Sequence, residues 1–505
     1  MQRRHGLSCA LALALVALGC GASPPPPPDN PPPVKPAPVA VSKTNGRFTV
    51  PVSYHKLDNG LKVVLSRDTT APIVALGVYY NIGFRIEPKD RTGFAHLFEH
   101  MMFQGSQNLG KMEFIHLVQN NGGVVNGSTR FDFTNYMEIF PAHSLRPILW
   151  AEADRMRGLA ITQENLTNQQ GVVKNEVKGN VLNRPYGGFP WLDMPQYANS
   201  NWYNAHNFYG ELTDLDAATL DDVKKFFTTY YAPNNAVVAM TGDFDEAQAL
   251  AWIREYFGKI PAAPQPKLPD IAEPRQEQEK RATKPDPLAP RPALAVGYHA
   301  PPRNTPAYYA MGLLDQILLQ GDDSRLHQAL VQKRGLTDSV WGGINVGLGN
   351  MFNVSGPTLW VASLIHDPDK PSSAILEAMD PEIEKLRAAP VDKATLDLAL
   401  VKMRSALYDQ IEGFYGFGRV DLLASFALFD DDPERINRLE DEFRKVTPEI
   451  LHETAKEWLR PTNRTVLVVE PKPAAAEPAK DDKKPAAKDD KKKPAAPKPS
   501  AGGKK

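Results

Sequence analysis

His96-Leu97-Phe98-Glu99-His100 places two imidazoles four positions apart. On a helix that spacing stacks them on one face, one turn from each other. Two imidazoles so placed can grip one zinc ion, and Glu99 beside them offers a carboxylate free to move protons. The order is H-x-x-E-H, the reverse of the commoner H-E-x-x-H zinc helix. The competing reading is an amphipathic helix whose histidines merely occupy its polar face.

A zinc site of this kind needs a third protein ligand, a carboxylate or imidazole from another element, and leaves a fourth position for water. Gly171-Val172-Val173-Lys174-Asn175-Glu176-Val177, about 75 residues downstream, reads as helix and offers Glu176. A glutamate on a helix is ordinarily a solvated surface residue, so spacing alone does not select it.

Four segments, in order, resemble the pitrilysin, insulinase and mitochondrial processing peptidase family of zinc metallopeptidases. Gly93-Phe94-Ala95 leads into the H-x-x-E-H segment and Met101-Met102-Phe103. Asn121-Gly122-Gly123-Val124-Val125-Asn126-Gly127-Ser128-Thr129 is followed by Asp132-Phe133-Thr134-Asn135-Tyr136. Val173-Lys174-Asn175-Glu176 is similar to the segment that carries the distal zinc glutamate, and Tyr230-Tyr231-Ala232-Pro233-Asn234-Asn235 precedes an apolar strand and Gly242-Asp243. The resemblance spans residues 48–470.

It implies one Zn2+ per chain held by His96, His100 and Glu176, with Glu99 as general base of a metalloendopeptidase. Zinc would acidify water and polarise a scissile carbonyl. Glu99 would take the water's proton and pass it to the leaving amine. Asp132 is expected either to orient a ligating histidine or simply to close a turn. Gln169 stands where family members often carry an acid. Asn126 and Gly127 match the edge strand onto which the family adds an extended peptide, and Gly127 would let a backbone come close.

One departure stands out. Active members carry an Arg and, seven residues later, a Tyr in the second half to hold substrate near the zinc. The matching positions here are Val331 and Asp338. Family members of about this length often work as dimers, so the resemblance implies a heterodimer with a homologous, zinc-less subunit that supplies the Arg and Tyr contacts.

The positioning elements follow from apolar patterning. Asp58-Asn59-Gly60 is a hairpin turn signal leading to a strand over 61–65, with a second over Ile73–Tyr80. The zinc helix, the Asn126 strand, a long helical region over 144–182 and a closing strand over 236–241 complete a first half, 48–262. Residues 263–290, rich in Pro, Gln, Glu and Lys, read as a linker. A strand over 292–298 and a helix over 307–319 then restart the pattern in a second half, 291–470.

Trp458-Leu459-Arg460-Pro461-Thr462-Asn463 before Val466-Leu467 echoes Tyr230 to Asn235, at an offset of 228 residues. Shifting His96 by that offset lands on Ser324, where no second H-x-x-E-H stands. The expected fold is α+β: two homologous halves, each a mainly antiparallel sheet covered by helices, with the metal only in the first.

The ends suggest where the chain works. Arg3 and Arg4 precede an apolar run too short to span a bilayer comfortably, and Ala17-Leu18-Gly19-Cys20 resembles a bacterial lipoprotein cleavage box. Residues 1–20 then form the signal segment and Cys20 the lipidated residue; an ordinary signal peptide containing a cysteine is the alternative. Gly21 in place of Asp favours the outer membrane, facing the periplasm. Cys9 and Cys20 are the only cysteines, so a chain cleaved at Cys20 keeps no disulfide.

Residues 21–47 form a Pro-rich spacer, and 471–505 a tail of Lys, Pro, Ala and Asp that reads as solvated, or as able to touch anionic surfaces. With 58 basic and 59 acidic residues, the chain has no charge excess to bind nucleic acid. Three functions stay open at this level: a zinc endopeptidase of broad action, a processing enzyme for one dedicated substrate, and a non-catalytic assembly or binding subunit.

Overall fold

The computed structural model describes residues 48–471, and those from Thr49 onward belong to one compact unit. The signal segment with Cys20, the Pro-rich spacer and the tail beyond Pro471 lie outside the described residues. No described helix is long and apolar enough to cross a membrane.

The first half contributes β1 (Ser53–Lys56), β2 (Lys62–Arg67), β3 (Ile73–Tyr80), β4 (Val124–Thr129), β5 (Thr134–Pro141) and β6 (Ala236–Gly242). The second contributes β7 (Lys280–Asp286), β8 (Ala293–His299), β9 (Trp341–Ile344), β10 (Leu359–Ile365) and β11 (Arg464–Pro471). The sheets run β1-β2-β6-β3-β5-β4 and β7-β11-β8-β10-β9. Without β1, the two orders superpose strand for strand. Each has a single parallel pair at the same place, β2 with β6 and β7 with β11, and is otherwise antiparallel.

The duplication extends to single hydrogen bonds. Asn235 Nδ2 donates to the Tyr230 carbonyl (2.9 Å) and to Asn81 O just past β3 (3.4 Å). Its counterpart Asn463 donates to Trp458 O (2.7 Å) and to His299 O at the end of β8 (3.1 Å). The two-half α+β expectation therefore holds.

The central strands are long apolar runs because both faces are covered. Val63, Leu65, Leu76, Val78 and Val238 face first-half helices through Leu97, Phe98, Leu149 and Ile253. Val64, Ala75, Tyr79, Val237 and Ala239 face the other way, into a core shared with Leu313, Leu422 and Leu423 of second-half helices. The Phe417–Asp430 helix lies against β2, β3 and β6. The second sheet returns the contact: Ala295, Val361 and Leu467 are capped by Phe189 and Met194 of the first half. Each fully buried Val, Leu, Phe or Met among them contributes roughly 1.5–3 kcal/mol, so the halves are held by a common interior.

Two boundaries differ from expectation. The linker read over 263–290 ends early, because 280–286 is β7. It looked like linker because it is an edge strand with alternating exposure, whose Lys280, Arg281, Lys284 and Pro285 suit a sheet edge. The helical region read over 144–182 is broken. Leu145–Arg157 ends at Gly158, which is extended, and Leu159 bridges to Ser106. Thr162 then caps a new helix, Gln163–Val177, by accepting from Asn165 N (3.1 Å), and a π-helical stretch follows over Lys178–Leu182.

Candidate metal centre

The Phe94–Met101 helix buries Phe94, Leu97, Phe98 and Met101 against the first sheet, which turns His96, Glu99 and His100 the other way. His96 is nearly closed off, at 3% exposure; Glu99 and His100 are half-buried. On the Gln163–Val177 helix, Leu166, Val173 and Val177 are buried, and that packing brings Glu176 to the histidines.

His96 Nε2 and His100 Nε2 are 3.3 Å apart. Glu176 Oε1 lies 3.6 Å from the first and Oε2 3.1 Å from the second. One ligating atom from each residue falls within 4.8 Å of the others, the only such trio of His, Cys, Asp or Glu among the described residues. Ligands about 2.0–2.1 Å from a tetrahedral zinc stand about 3.3–3.4 Å from one another, so two imidazoles and a carboxylate at these separations fit that ion.

Burial pushes His96 down to about 4, against the pull of Glu176 and with a further push from His100, so its ring is neutral at pH 7 and its lone pair free. Burial raises the Glu176 carboxyl, but the His100 hydrogen bond and the electrostatic pull of the two histidines outweigh it and hold Glu176 below its ordinary value. Glu99 goes the other way: burial lifts it, with the Thr129 hydrogen bond opposing. A carboxyl lifted toward neutrality is better matched to proton transfer.

Thr129 Oγ1 donates to Glu99 Oε2 at 2.8 Å. Glu99 also explains Gly127. A Cβ there would meet Glu99 Cγ at 2.9 Å, so the glycine makes room for the acid itself. Both Asn126 and Gly127 lie on β4, the last strand of the first sheet, whose outer edge pairs with no strand among the described residues.

Asp132 does not orient a histidine. It is buried and binds Arg85 Nε (2.6 Å), while its other oxygen accepts from Ser355 N (2.7 Å) and Gly356 N (3.3 Å). Arg85 also donates to Pro357 O (2.8 Å). The pair thus ties the first half to the second-half segment over 345–357. A buried guanidinium and the loop amides outcompete any histidine for this carboxylate. His96 Nδ1 in fact finds no hydrogen-bond partner among the described residues. Its ring is held by packing, against Phe208 (5.2 Å) and Tyr209 (5.0 Å). Gln169 is buried in its helix and donates to Asn168 Oδ1 (2.8 Å).

The cluster opens into a cavity of about 240 Å³ that Arg130, Trp191, Phe208 and Tyr209 line, together with Gly347 and Leu348 of the second half. Tyr209 also reaches Glu176 Oε1 (3.4 Å). Sequence reasoning missed these residues. Arg130 directly follows the Asn126 motif, which ends at Thr129, and was within reach; Trp191, Tyr209 and Leu348 arrive through tertiary contacts alone. Neither Val331 nor Asp338 lines the cavity; Asp338 is exposed beside Arg291 (3.4 Å).

Fold and cluster together describe a duplicated α+β protein whose first half carries a side-chain trio able to hold one metal ion. Residues 62–185 match the family model "Insulinase (Peptidase family M16)" and residues 217–402 match "Peptidase M16 inactive domain". The chain belongs to the peptidase M16, or insulinase/pitrilysin-like, family. His96, Glu99, His100 and Glu176 all fall in the first match; the second covers most of the second half.

Among curated relatives, "Zinc protease PqqE" of Helicobacter pylori is 24% identical over 422 residues, 82% of this chain and 92% of its own length. A crystal structure of a protease from Helicobacter pylori superposes with a TM-score of 0.76 at 24% identity, covering 84% of this chain and all of that one. A peptidase M16 inactive domain from Pseudomonas fluorescens gives 0.73 at 18% identity, covering 84% and 98%. The periplasmic protease PqqL of Escherichia coli gives 0.68 at 19%, covering 83% of this chain and 47% of that protein.

Proposed function

We propose that the chain is a zinc-dependent endopeptidase acting on extended peptides, with His96, His100 and Glu176 as ligands and Glu99 as general base. The observation that carries this reading is the convergence of three potential ligand atoms within 4.8 Å beside the Glu99 carboxyl, which burial lifts from its ordinary value. Zinc bound there would supply Lewis-acid polarisation and acidify water. Glu99 holds the abstracted proton at Oε1 or Oε2 and returns it to the leaving amine. An extended peptide adds along the open edge of β4 near Asn126 and Gly127, with its backbone doing most of the binding.

The reading includes a partner. Val331 and Asp338 stand where an Arg and a Tyr would hold substrate, and neither lines the metal cavity. A homologous zinc-less subunit then supplies those contacts. The chain is held in the bacterial cell envelope by a lipid on Cys20, at the outer membrane and facing the periplasm. A pull-down from the native source should return this chain with a second, related one, active on peptides and silenced by a zinc chelator. Recovery of this chain alone, fully active, contradicts the partner; activity indifferent to chelation contradicts the metal.

The second reading, a non-catalytic binding subunit, is favoured by the same Val331 and Asp338. The pH profile helps to separate the two. Thr129→Val removes a hydrogen bond that holds Glu99 down. A base must be deprotonated, so the acid limb of kcat/KM should move to higher pH. An unmoved limb would mean that Glu99 does not govern turnover.

A further inference from the structure

Glu87 lies outside the metal cluster and is fully buried. Both of its oxygens are used on the start of the metal helix: Oε2 accepts from Gly93 N at 2.9 Å and Oε1 from Ala95 N at 2.5 Å. The helix has no cap from its own N-cap residue, because that residue is Gly93, at φ +81°. Helix starts leave their first amides without intrahelical partners. Glu87, reaching back from the preceding loop, takes the place of the missing side-chain cap, one residue before His96.

The same carboxylate touches a second element. His206 Nε2 is 3.7 Å from Glu87 Oε2, buried, and without a hydrogen-bond partner among the described residues. His206 opens a strap over 206–210 that carries Phe208 and Tyr209 against the His96 ring. Strap and helix start touch backbone to backbone. A Cβ on Gly93 would meet Tyr209 O at 2.5 Å, and one on Gly210 would meet Gly93 N at 2.3 Å. His96, which lacks a hydrogen bond at Nδ1, is thus held from below by the helix turn that Glu87 caps. From the side it is held by the strap that Glu87 meets through His206.

We infer that Glu87 is a positioning residue for the metal: by fixing the first helical turn and the 206–210 strap together, it holds His96 at ligating distance from His100 and Glu176. The inference rests on the zinc reading proposed above. A glutamine at 87 cannot do the same work. It offers one acceptor and one NH2 group, and the NH2 would face a backbone N–H.

The test is zinc affinity, read by competition with a chromogenic chelator on wild type, Glu87→Gln and Asp315→Asn. Asp315 is a buried second-half carboxyl bonded to Trp360, and serves as the control for loss of a buried hydrogen bond. Glu87→Gln should bind zinc about tenfold to a hundredfold more weakly and should alter the visible spectrum of the cobalt(II)-loaded chain. Asp315→Asn should change neither. Equal affinity and spectrum in Glu87→Gln and wild type overturn the inference and leave Glu87 a structural cap. Absence of zinc binding by wild type itself is a separate failure, of the zinc reading. Should Glu87→Gln not fold, His206→Asn takes its place, since it leaves both helix amides capped; unchanged affinity and spectrum there also overturn the inference.

Discussion

Glu99→Gln should keep the metal and lose the reaction. Glutamine has nearly the shape of glutamate, Glu99 is not one of the three proposed ligands, and Thr129 can turn its hydroxyl to suit an amide. What the amide cannot do is accept a proton from water. General-base catalysis contributes about 10²–10⁴-fold, so kcat should fall by that factor with zinc per chain unchanged. Peptide turnover and metal content, measured on the same preparation, check the prediction. Full activity in the variant would remove Glu99 from the mechanism.

Glu176→Gln should have the complementary effect. The carboxylate is the only negative charge among the three proposed ligands, and it lies 3.1 and 3.6 Å from the two imidazoles. A neutral amide leaves two histidines to hold a dication. Changes to groups that merely orient a ligand cost 10–100-fold in affinity; loss of a ligand should cost more than about 100-fold. Chelator competition reads this directly, with circular dichroism to show that the Gln163–Val177 helix persists. Undiminished affinity would place the third ligand elsewhere.

The centre was legible in the sequence where local periodicity decides geometry. Positions 96 and 100 share a face on any α-helix, and the apolar residues at 94, 97, 98 and 101 show which face is buried. The duplication was legible in the repeated Tyr230 to Asn235 and Trp458 to Asn463 segments, because the same Asn bonds the same strand end in both halves. β7 was not, since an edge strand needs little apolar content to be a strand.

Asp132 shows a different limit. Its motif context marked it as a residue with a task, but the partners that claim it, Arg85 and the amides of Ser355 and Gly356, lie 47 to 224 positions away. Glu87 was hidden for a related reason. It caps a helix from six and eight residues upstream, outside the usual capping pattern, and its second contact is more than a hundred residues on.

The central claim is that this chain binds zinc at His96, His100 and Glu176. The most direct measurement is the zinc content of the purified wild-type chain, loaded with zinc, dialysed without chelator, and compared with His96→Ala prepared in the same way. About one zinc per chain in the wild type and little in His96→Ala is the predicted result. No zinc in either, from folded protein, would contradict the account and leave the binding-subunit reading in its place.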